Sequence, residues 1–431
     1  MEAKKERVSL ARDKIYRLKG PAMMVLTKGR IFALGRELTS REKIVVPRSR
    51  ILCFKTLEDS EVEIVVGSEG SFEEASSEEE VIDIWNTEID RILDSKVSSV
   101  LVLGPVDVGK TTFCCFMANK ALAKNYSVYV IDADIGQADI GPPTTISAGR
   151  VDKPIFSLRE LKPKYMAFIG VDSPMNVKER VIAGLKLIYE KVMKYEKTDI
   201  VIINTDGWTQ GSKAHEYKLA IASVINPDAI VLLQKDTPEL DNIIPVLRKM
   251  SKLFILPSPK AAKARDRYER KMFRESSYLR FINNLKLKAV SAEKCPLLYT
   301  HLFKGCPLND DEKKALELHL GARVLYSEET CDRVIIIVDK PIPREKIEEL
   351  RALYGKEVFI IVKGYEKGLL VGLLDKEMLC QGIGLLEEID FDTKTLKIKT
   401  NVSSDPQYIA FGQVKLNEKG EEIGKFRDWF L

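Results

Sequence analysis

The stretch that decides the fold is Gly104-Pro-Val-Asp-Val-Gly109-Lys110-Thr111, which fits the Walker A pattern G-x-x-x-x-G-K-[ST]. It follows an apolar run at residues 100–103 and opens a run of helical length at 110–124. Strand, glycine-rich loop and helix in this order predict a phosphate-binding loop, because the glycines let backbone N–H groups point at phosphate oxygens. The strand and helix on either side disfavour a chance match in a turn.

This loop predicts the chemistry of the chain. Lys110 would neutralise the β- and γ-phosphates of a nucleoside triphosphate, and the Thr111 hydroxyl would ligate Mg²⁺. The predicted nucleotide-binding residues are those of the loop and the start of the helix: Gly104, Pro105, Val106, Asp107, Val108, Gly109, Lys110, Thr111 and Thr112. Phosphoryl transfer is therefore the expected reaction class.

The residues around the loop predict an α/β domain. Apolar strand-like runs alternate with helical segments, which indicates a parallel sheet with helices on both faces. The runs are 100–103, 128–131, 166–169, 200–203, 229–233 and 253–256, and the helices are 110–124, 177–195, 213–224 and 239–250. We expect a P-loop NTPase fold.

Both flanks of this domain read as β-rich. Short strands are predicted at 22–27, 30–34, 43–46, 51–54 and 61–66, before a polar, acidic stretch at 67–80 that suits an exposed linker. Later strands are predicted at 334–338, 358–362, 369–374, 382–389, 395–400 and 408–414, with one helix at 344–354. The expected domains are an N-terminal β domain (1–80), a kinase domain with a lid (81–303) and a C-terminal β-rich domain (304–431).

Composition narrows the class of protein. Of the 431 residues, 45% are hydrophobic and 31% charged, as in soluble globular proteins. The sequence lacks both an apolar run long enough to span a bilayer and an apolar signal core after its charged N-terminus, so we expect a cytoplasmic protein without a membrane partner. A net charge of +4 does not by itself indicate nucleic acid.

Two aspartates follow the second strand of the core. Asp132 and Asp134 lie in Asp132-Ala-Asp134-Ile-Gly-Gln137, at the edge where open α/β sheets bind ligands. A carboxylate beside Mg²⁺ can hold a metal-bound water or accept a proton from an attacking hydroxyl. The alternative that either aspartate only caps the following turn stays open.

Two further features fit a polyanionic substrate. Thr205-Asp-Gly207-Trp208 follows the strand at 200–203, and its tryptophan could stack on a base or simply pack. A basic segment contains Lys260, Lys263, Arg265, Arg267, Arg270, Lys271 and Arg274. Arg270 and Arg274 are four residues apart and would project from one helix face, either toward a phosphoryl group or into solvent.

With these four elements in this order, the chain resembles the polynucleotide 5′-hydroxyl kinase family, which includes the RNA kinase subunit of eukaryotic pre-mRNA cleavage factor. The resemblance rests on Gly-Pro-x-Asp-x-Gly-Lys-Thr (104–111), Asp-x-Gly-Gln (134–137), Thr-x-Gly-Trp (205–208) and Arg-x-x-x-Arg (270–274). Leu-Pro-Ser-Pro at 256–259 and the region 382–414 also look familial. The chain departs at Pro142-Pro143-Thr144, where many relatives have glycine after the prolines.

The resemblance implies transfer of the γ-phosphate of ATP, with Mg²⁺, to the 5′-hydroxyl of single-stranded or duplex RNA, with DNA as a further candidate. It implies that the N-terminal β domain helps to hold the nucleotide base. The implied catalytic residues are Lys110, Asp134, Arg270 and Arg274, with Asp134 also near the metal. The implied substrate-binding residues are Gln137, Thr205, Gly207 and Trp208.

Two rival functions remain open at this stage. One is an ATP-binding scaffold subunit of an RNA-processing complex that does not turn ATP over. The other is a regulatory GTPase or ATPase, which is disfavoured because the sequence lacks an Asn-Lys-x-Asp base-reading motif.

Overall fold

The computed structural model describes residues 4–48, 50–76, 79–235, 239–260 and 266–426. The chain forms two compact units. The first comprises Met1–Gly141, Thr145–Met166 and Ser173–Phe273, and the second comprises Pro142–Thr144, Ala167–Asp172 and Arg274–Leu431. The three-domain division expected from the sequence stays a prediction.

The first unit begins with two antiparallel sheets. Their strands are β1 (Lys4–Leu10), β2 (Ile15–Lys19), β3 (Ala22–Lys28), β4 (Ile31–Ala33), β5 (Arg36–Leu38), β6 (Lys43–Val46), β7 (Ile51–Thr56), β8 (Ser60–Val66) and β9 (Ser71–Ala75). One sheet has the order β1-β8-β3-β6 and the other β5-β4-β7-β2-β9. Alternating buried residues such as Leu18, Met24 and Phe54 form a common core.

The expected linker at 67–80 is wrong in part, because β9 lies within it and pairs antiparallel with β2. Phe72 stacks on Tyr16 with ring centroids 5.5 Å apart. Glu80 is 5% exposed and pairs with Arg17. Strand β9 lies at a sheet edge, where acidic side chains discourage further pairing. Its acidic composition therefore resembles that of a linker.

The central sheet and its helices follow in the first unit, with β13 reaching into the second. The elements are α1 (Ile82–Asp94), β10 (Ser99–Leu103), α2 (Lys110–Ala123), β11 (Val128–Ala133), β12 (Thr145–Val151), β13 (Tyr165–Phe168), α3 (Lys178–Tyr195), β14 (Ile200–Thr205), α4 (Ser212–Ile225), β15 (Ala229–Gln234), α5 (Ile244–Met250) and β16 (Lys252–Pro257). Helix α6 (Arg267–Leu279) follows them.

The sheet has the order β13-β12-β11-β14-β10-β15-β16. Strands β11, β14, β10, β15 and β16 are parallel, and β10 is flanked by β14 and β15. The predicted P-loop fold class is thereby confirmed, although α1 and β12 were missed. The sheet is not wholly parallel, because strand β12 runs antiparallel to β11. The periodicity of apolar residues does not reveal the direction of a strand. The parallel arrangement brings the ends of β10, β11 and β14 to one edge.

The second unit contains two more sheets. Its strands are β17 (Lys286–Ser291), β18 (Leu297–Leu298), β19 (Cys306–Pro307), β20 (Val324–Glu329), β21 (Arg333–Val338), β22 (Glu357–Val362), β23 (Leu369–Leu374), β24 (Cys380–Asp390), β25 (Thr395–Thr400), β26 (Tyr408–Leu416) and β27 (Glu422–Lys425). Its helices are α7 (Asp310–Leu320) and α8 (Arg344–Tyr354), of which α8 was predicted. The expected β-rich character of this region is confirmed.

Among the described residues, no helix is both long and apolar enough to cross a bilayer.

Candidate active site

The loop between β10 and α2 has the backbone that phosphate binding requires. Gly104 and Gly109 adopt φ of +149° and +90°, and Asp107 lies at +57°. A Cβ atom at Gly104 would come 2.5 Å from the carbonyl oxygen of Leu233, so this glycine permits a close approach of two backbones. The loop leads directly into the N-terminus of α2, which fits a triphosphate.

Lys110 is buried beneath this loop. Its Nζ donates to the carbonyl oxygens of Gly104 at 2.8 Å and Pro105 at 2.6 Å. Burial lowers the pKa of Lys110 to about 8. The loop's own carbonyls therefore hold the ammonium group in place until an anion can replace them.

The carboxylate of Asp134 interacts electrostatically with the ammonium group of Lys110. Its Oδ1 accepts hydrogen bonds from the backbone N–H groups of Gly136 at 3.1 Å and Gln137 at 2.9 Å. Burial and the nearby Asp206 raise the pKa of Asp134, while Lys110 acts in the opposite direction. The turn fixes one carboxylate oxygen.

Asp132 orders the loop instead of facing a ligand. It is 1% exposed, and its oxygens accept from the backbone N–H of Asp139 at 2.7 Å and from Nδ2 of Asn204 at 2.9 Å. Burial and the Asp139 carboxylate raise the pKa of Asp132 to about 7. The turn-capping alternative that the sequence left open describes these contacts.

The segment after β14 contacts the phosphate loop directly. A Cβ atom at Gly207 would lie 2.7 Å from the Val106 nitrogen, so glycine is what lets the two loops touch. The neighbouring Thr205 is buried, and its hydroxyl donates to the Val102 carbonyl at 2.8 Å. Thr205 thereby ties β14 to β10 beneath the site.

Substituting Gly207 tests this contact. We expect Gly207→Ala to weaken ATP binding by about tenfold or more, because the added methyl group must displace Val106 and with it the phosphate loop. Calorimetric titration with ATP measures the effect. Gly424→Ala is the matched control, since a Cβ there meets nothing within 4 Å. Unchanged ATP affinity in Gly207→Ala would show that the loops separate without cost.

A buried ion pair near Trp208 was not predicted from the sequence. Lys218 is 0% exposed, and its Nζ donates to Oδ1 of Asp206 at 2.9 Å. Asp206 also accepts from the Trp208 backbone N–H at 2.9 Å and from the Tyr217 hydroxyl at 2.8 Å. The half-buried Trp208 ring lies 5.5 Å from that of Tyr217. The only signal in the sequence was a lysine on the apolar face of α4.

Removing one partner of this pair should destabilise the protein. We expect Lys218→Met to lower the free energy of unfolding by about 3–5 kcal/mol, because Asp206 would be left buried and unpaired. Adding Asp206→Asn should restore much of the loss. Denaturant unfolding measures both, with Lys186→Met, at an exposed pair with Glu190, as a control expected to change little. A Lys218→Met protein as stable as wild type would contradict the expectation.

The first turns of α6 reach the same site. Nη2 of Arg270 donates to Oδ2 of Asp107 in the phosphate loop at 2.9 Å. Nε2 of Gln137 donates to the Arg270 carbonyl at 3.3 Å. Arg270 therefore contacts the phosphate loop, and Gln137 contacts the backbone of Arg270. Their predicted roles in catalysis and substrate binding stay predictions.

Arg274 has different partners within the second unit. Its Nη2 donates to Oε2 of Glu422 at 2.8 Å, and Asp172 lies 3.8 Å from its Nε. Arg270 and Arg274 thus contact different carboxylates, and their predicted roles in catalysis stay predictions. Lys263 and Arg265 of the basic segment lie outside the described residues.

Within the described ranges, no group of three acidic, histidine or cysteine side chains could hold a metal ion. Mg²⁺ would instead need oxygen ligands such as Thr111 and Asp134 together with phosphate oxygens, which is how this ion is usually bound.

The sheet and the phosphate loop together define a P-loop nucleotide-binding protein, and comparisons with known proteins identify the family. The profile described as "mRNA cleavage and polyadenylation factor CLP1 P-loop" matches residues 104–284. The polyribonucleotide 5′-hydroxyl-kinase of Methanocaldococcus jannaschii is 32% identical over 333 residues, covering 76% of this chain and 90% of that protein. The corresponding protein of Pyrococcus furiosus is 33% identical over 339 residues, covering 78% and 92%.

The chain therefore belongs to the polyribonucleotide 5′-hydroxyl-kinase family, which confirms the resemblance seen in its motifs. A solved structure of Clp1p in complex with Pcf11p matches with a TM-score of 0.63 at 11% identity, covering 96% of this chain and 98% of that chain. That match shows the shared fold. Membership of a P-loop kinase family implies that the chain uses ATP.

Proposed function

We propose that this protein transfers the γ-phosphate of ATP to the 5′-hydroxyl of RNA, with DNA ends as a second substrate. The observation that carries the proposal is the phosphate loop with its buried Lys110, whose ammonium group is held by loop carbonyls and interacts electrostatically with Asp134, in a chain that belongs to this family. Phosphoryl transfer needs little beyond positioning and charge neutralisation. Lys110 would supply positive charge, and Asp134 would position the attacking hydroxyl.

The phosphate loop and Lys110 would hold the β- and γ-phosphates, with Thr111 and Asp134 as ligands of Mg²⁺. The bound ion would supply positive charge to the phosphate oxygens. Arg270, already bonded to the loop through Asp107, would add a second cation from α6. Asp134 would orient the attacking 5′-hydroxyl and accept its proton.

Gln137 would bind the 5′-hydroxyl group of the substrate. Both contacts of its Nε2 are carbonyl oxygens, those of Gly136 at 2.8 Å and Arg270 at 3.3 Å, which fixes the orientation of the amide. Its Oε1 is buried and has no hydrogen-bond partner. A substrate hydroxyl would satisfy this acceptor. Trp208 would stack on a base of the nucleic acid.

The test is incubation with Mg²⁺, γ-labelled ATP and matched 5′-hydroxyl RNA and DNA oligonucleotides. We expect label on the 5′ end, and none with Lys110→Ala. ATP binding without transfer to any oligonucleotide would overturn the proposal in favour of an ATP-binding scaffold.

A further inference from the structure

Beyond Gln137, two arginines from different parts of the first unit converge on one carboxylate. Arg50, which immediately precedes β7, donates from Nη2 to both oxygens of Asp139 at 2.8 and 2.7 Å. Arg159 donates from Nε to Oδ1 of Asp139 at 3.2 Å. Asp139 is 1% exposed. Two guanidinium groups therefore share one buried carboxylate.

Both arginines also pack against Phe273 of α6. Their guanidinium carbons lie 5.3 Å (Arg50) and 4.1 Å (Arg159) from the centre of the Phe273 ring. Arg159 additionally donates to the Phe273 carbonyl at 3.3 Å. Ring and carboxylate together fix the orientation of the two guanidinium planes, so an anion that binds them meets donors already in place.

The position of this pair relative to Gln137 follows from α6. Gln137 donates to the carbonyl of Arg270, and Arg159 donates to the carbonyl of Phe273. Phe273 lies three residues after Arg270, on the same side of the helix. Three residues correspond to a rise of about 4.5 Å. Gln137 and Asp139 also lie two residues apart on one loop. The arginines therefore lie next to Gln137, further from the phosphate loop.

Arg50 retains donors that Asp139 does not use. Its side chain is 21% exposed, and among the described residues its hydrogen bonds to Asp139 come only from Nη2. Nη1 and Nε are not used in this pair, so either can donate a single charge-assisted hydrogen bond to an oxygen of a second anion.

We propose that Arg50, supported by Arg159, binds the first internucleotide phosphate of the nucleic acid, on the 3′ side of the nucleoside that is phosphorylated. This inference rests on the proposed function, because Gln137 marks the 5′-hydroxyl end. The N-terminal β domain would then contribute to substrate binding through Arg50.

The experiment compares two 5′-hydroxyl oligonucleotides that differ only at the first linkage, a phosphodiester in one and a neutral methylphosphonate in the other. Both KM and equilibrium binding are measured for wild type, Arg50→Gln and Arg50→Lys. For wild type we expect binding about tenfold weaker to the neutral linkage, and for Arg50→Gln equal binding to both. Arg50→Lys should restore part of the preference. The salt slope of binding should fall by about 0.7 in Arg50→Gln.

Arg30→Gln, at an exposed arginine of the same domain, is the control and should keep the wild-type preference. If Arg50→Gln weakens binding of both oligonucleotides equally, or raises only the KM for ATP, the phosphate contact is absent. Because binding is measured without turnover, a protein that fails to transfer phosphate but still distinguishes the two linkages refutes the proposed function and not the contact.

Discussion

Replacing Lys110 with methionine should reduce 5′-phosphorylation by at least about 10²–10³-fold, the cost typical of removing one preorganised donor that stabilises charge in a transition state. The substitution keeps the length of the side chain and removes its charge. Initial rates with γ-labelled ATP measure the loss, and Lys124→Met, on the exposed end of the same helix, is the control. A Lys110→Met enzyme with near-wild-type rates would exclude the phosphate loop as the reaction site.

The same variant should not be less stable than wild type. The pKa of Lys110, about 8 in the folded chain, lies below its ordinary 10.5, so burying the charged form costs free energy. That cost is fully present below pH 8 and fades as the folded protein loses the proton between pH 8 and 10.5. In thermal unfolding, any gain in stability of Lys110→Met over wild type should therefore appear at neutral pH. The difference in stability between the two proteins should become smaller above pH 8. A large loss of stability at pH 7 would show that the lysine is held mainly for structure.

The parts of the site that the sequence predicts are local in the chain. Strand, loop and helix around Lys110 occupy a few dozen residues, and their spacing carries the physical requirement for glycine and lysine. Asp134 and Gln137 share one short turn whose geometry their own backbone creates. Such features can be inferred without knowing how the chain packs.

The missed parts depend on contacts between distant segments. Arg50 meets Asp139 across 89 positions of sequence, and no periodicity links them. Lys218 was hidden because a lysine on a helix is normally solvated, whereas here Asp206 compensates its charge within the core. The partner of Arg274 is further still, 148 positions away in β27. Helical spacing correctly placed Arg270 and Arg274 on α6 but could not reveal that each contacts a different carboxylate.

Arg274→Ala should lower kcat by about 10³-fold or more while changing the KM for ATP little, as expected for an arginine that meets the transferring phosphate. In the structure this guanidinium is bound to Glu422, so it would have to exchange that carboxylate for phosphate oxygens during the reaction. Steady-state kinetics over a range of ATP concentrations separate the two parameters.

Glu422→Gln decides how Arg274 acts. If the arginine acts on phosphate, removing the Glu422 charge should leave kcat within a few fold of wild type or raise it, because the guanidinium loses a competing anion. If Arg274 serves only to join α6 to β27, both variants should lower the free energy of unfolding and reduce kcat together. Equal losses of kcat and of ATP affinity in Arg274→Ala would likewise remove it from the lid, leaving Arg270, on the phosphate-loop residue Asp107, as the arginine that completes the site.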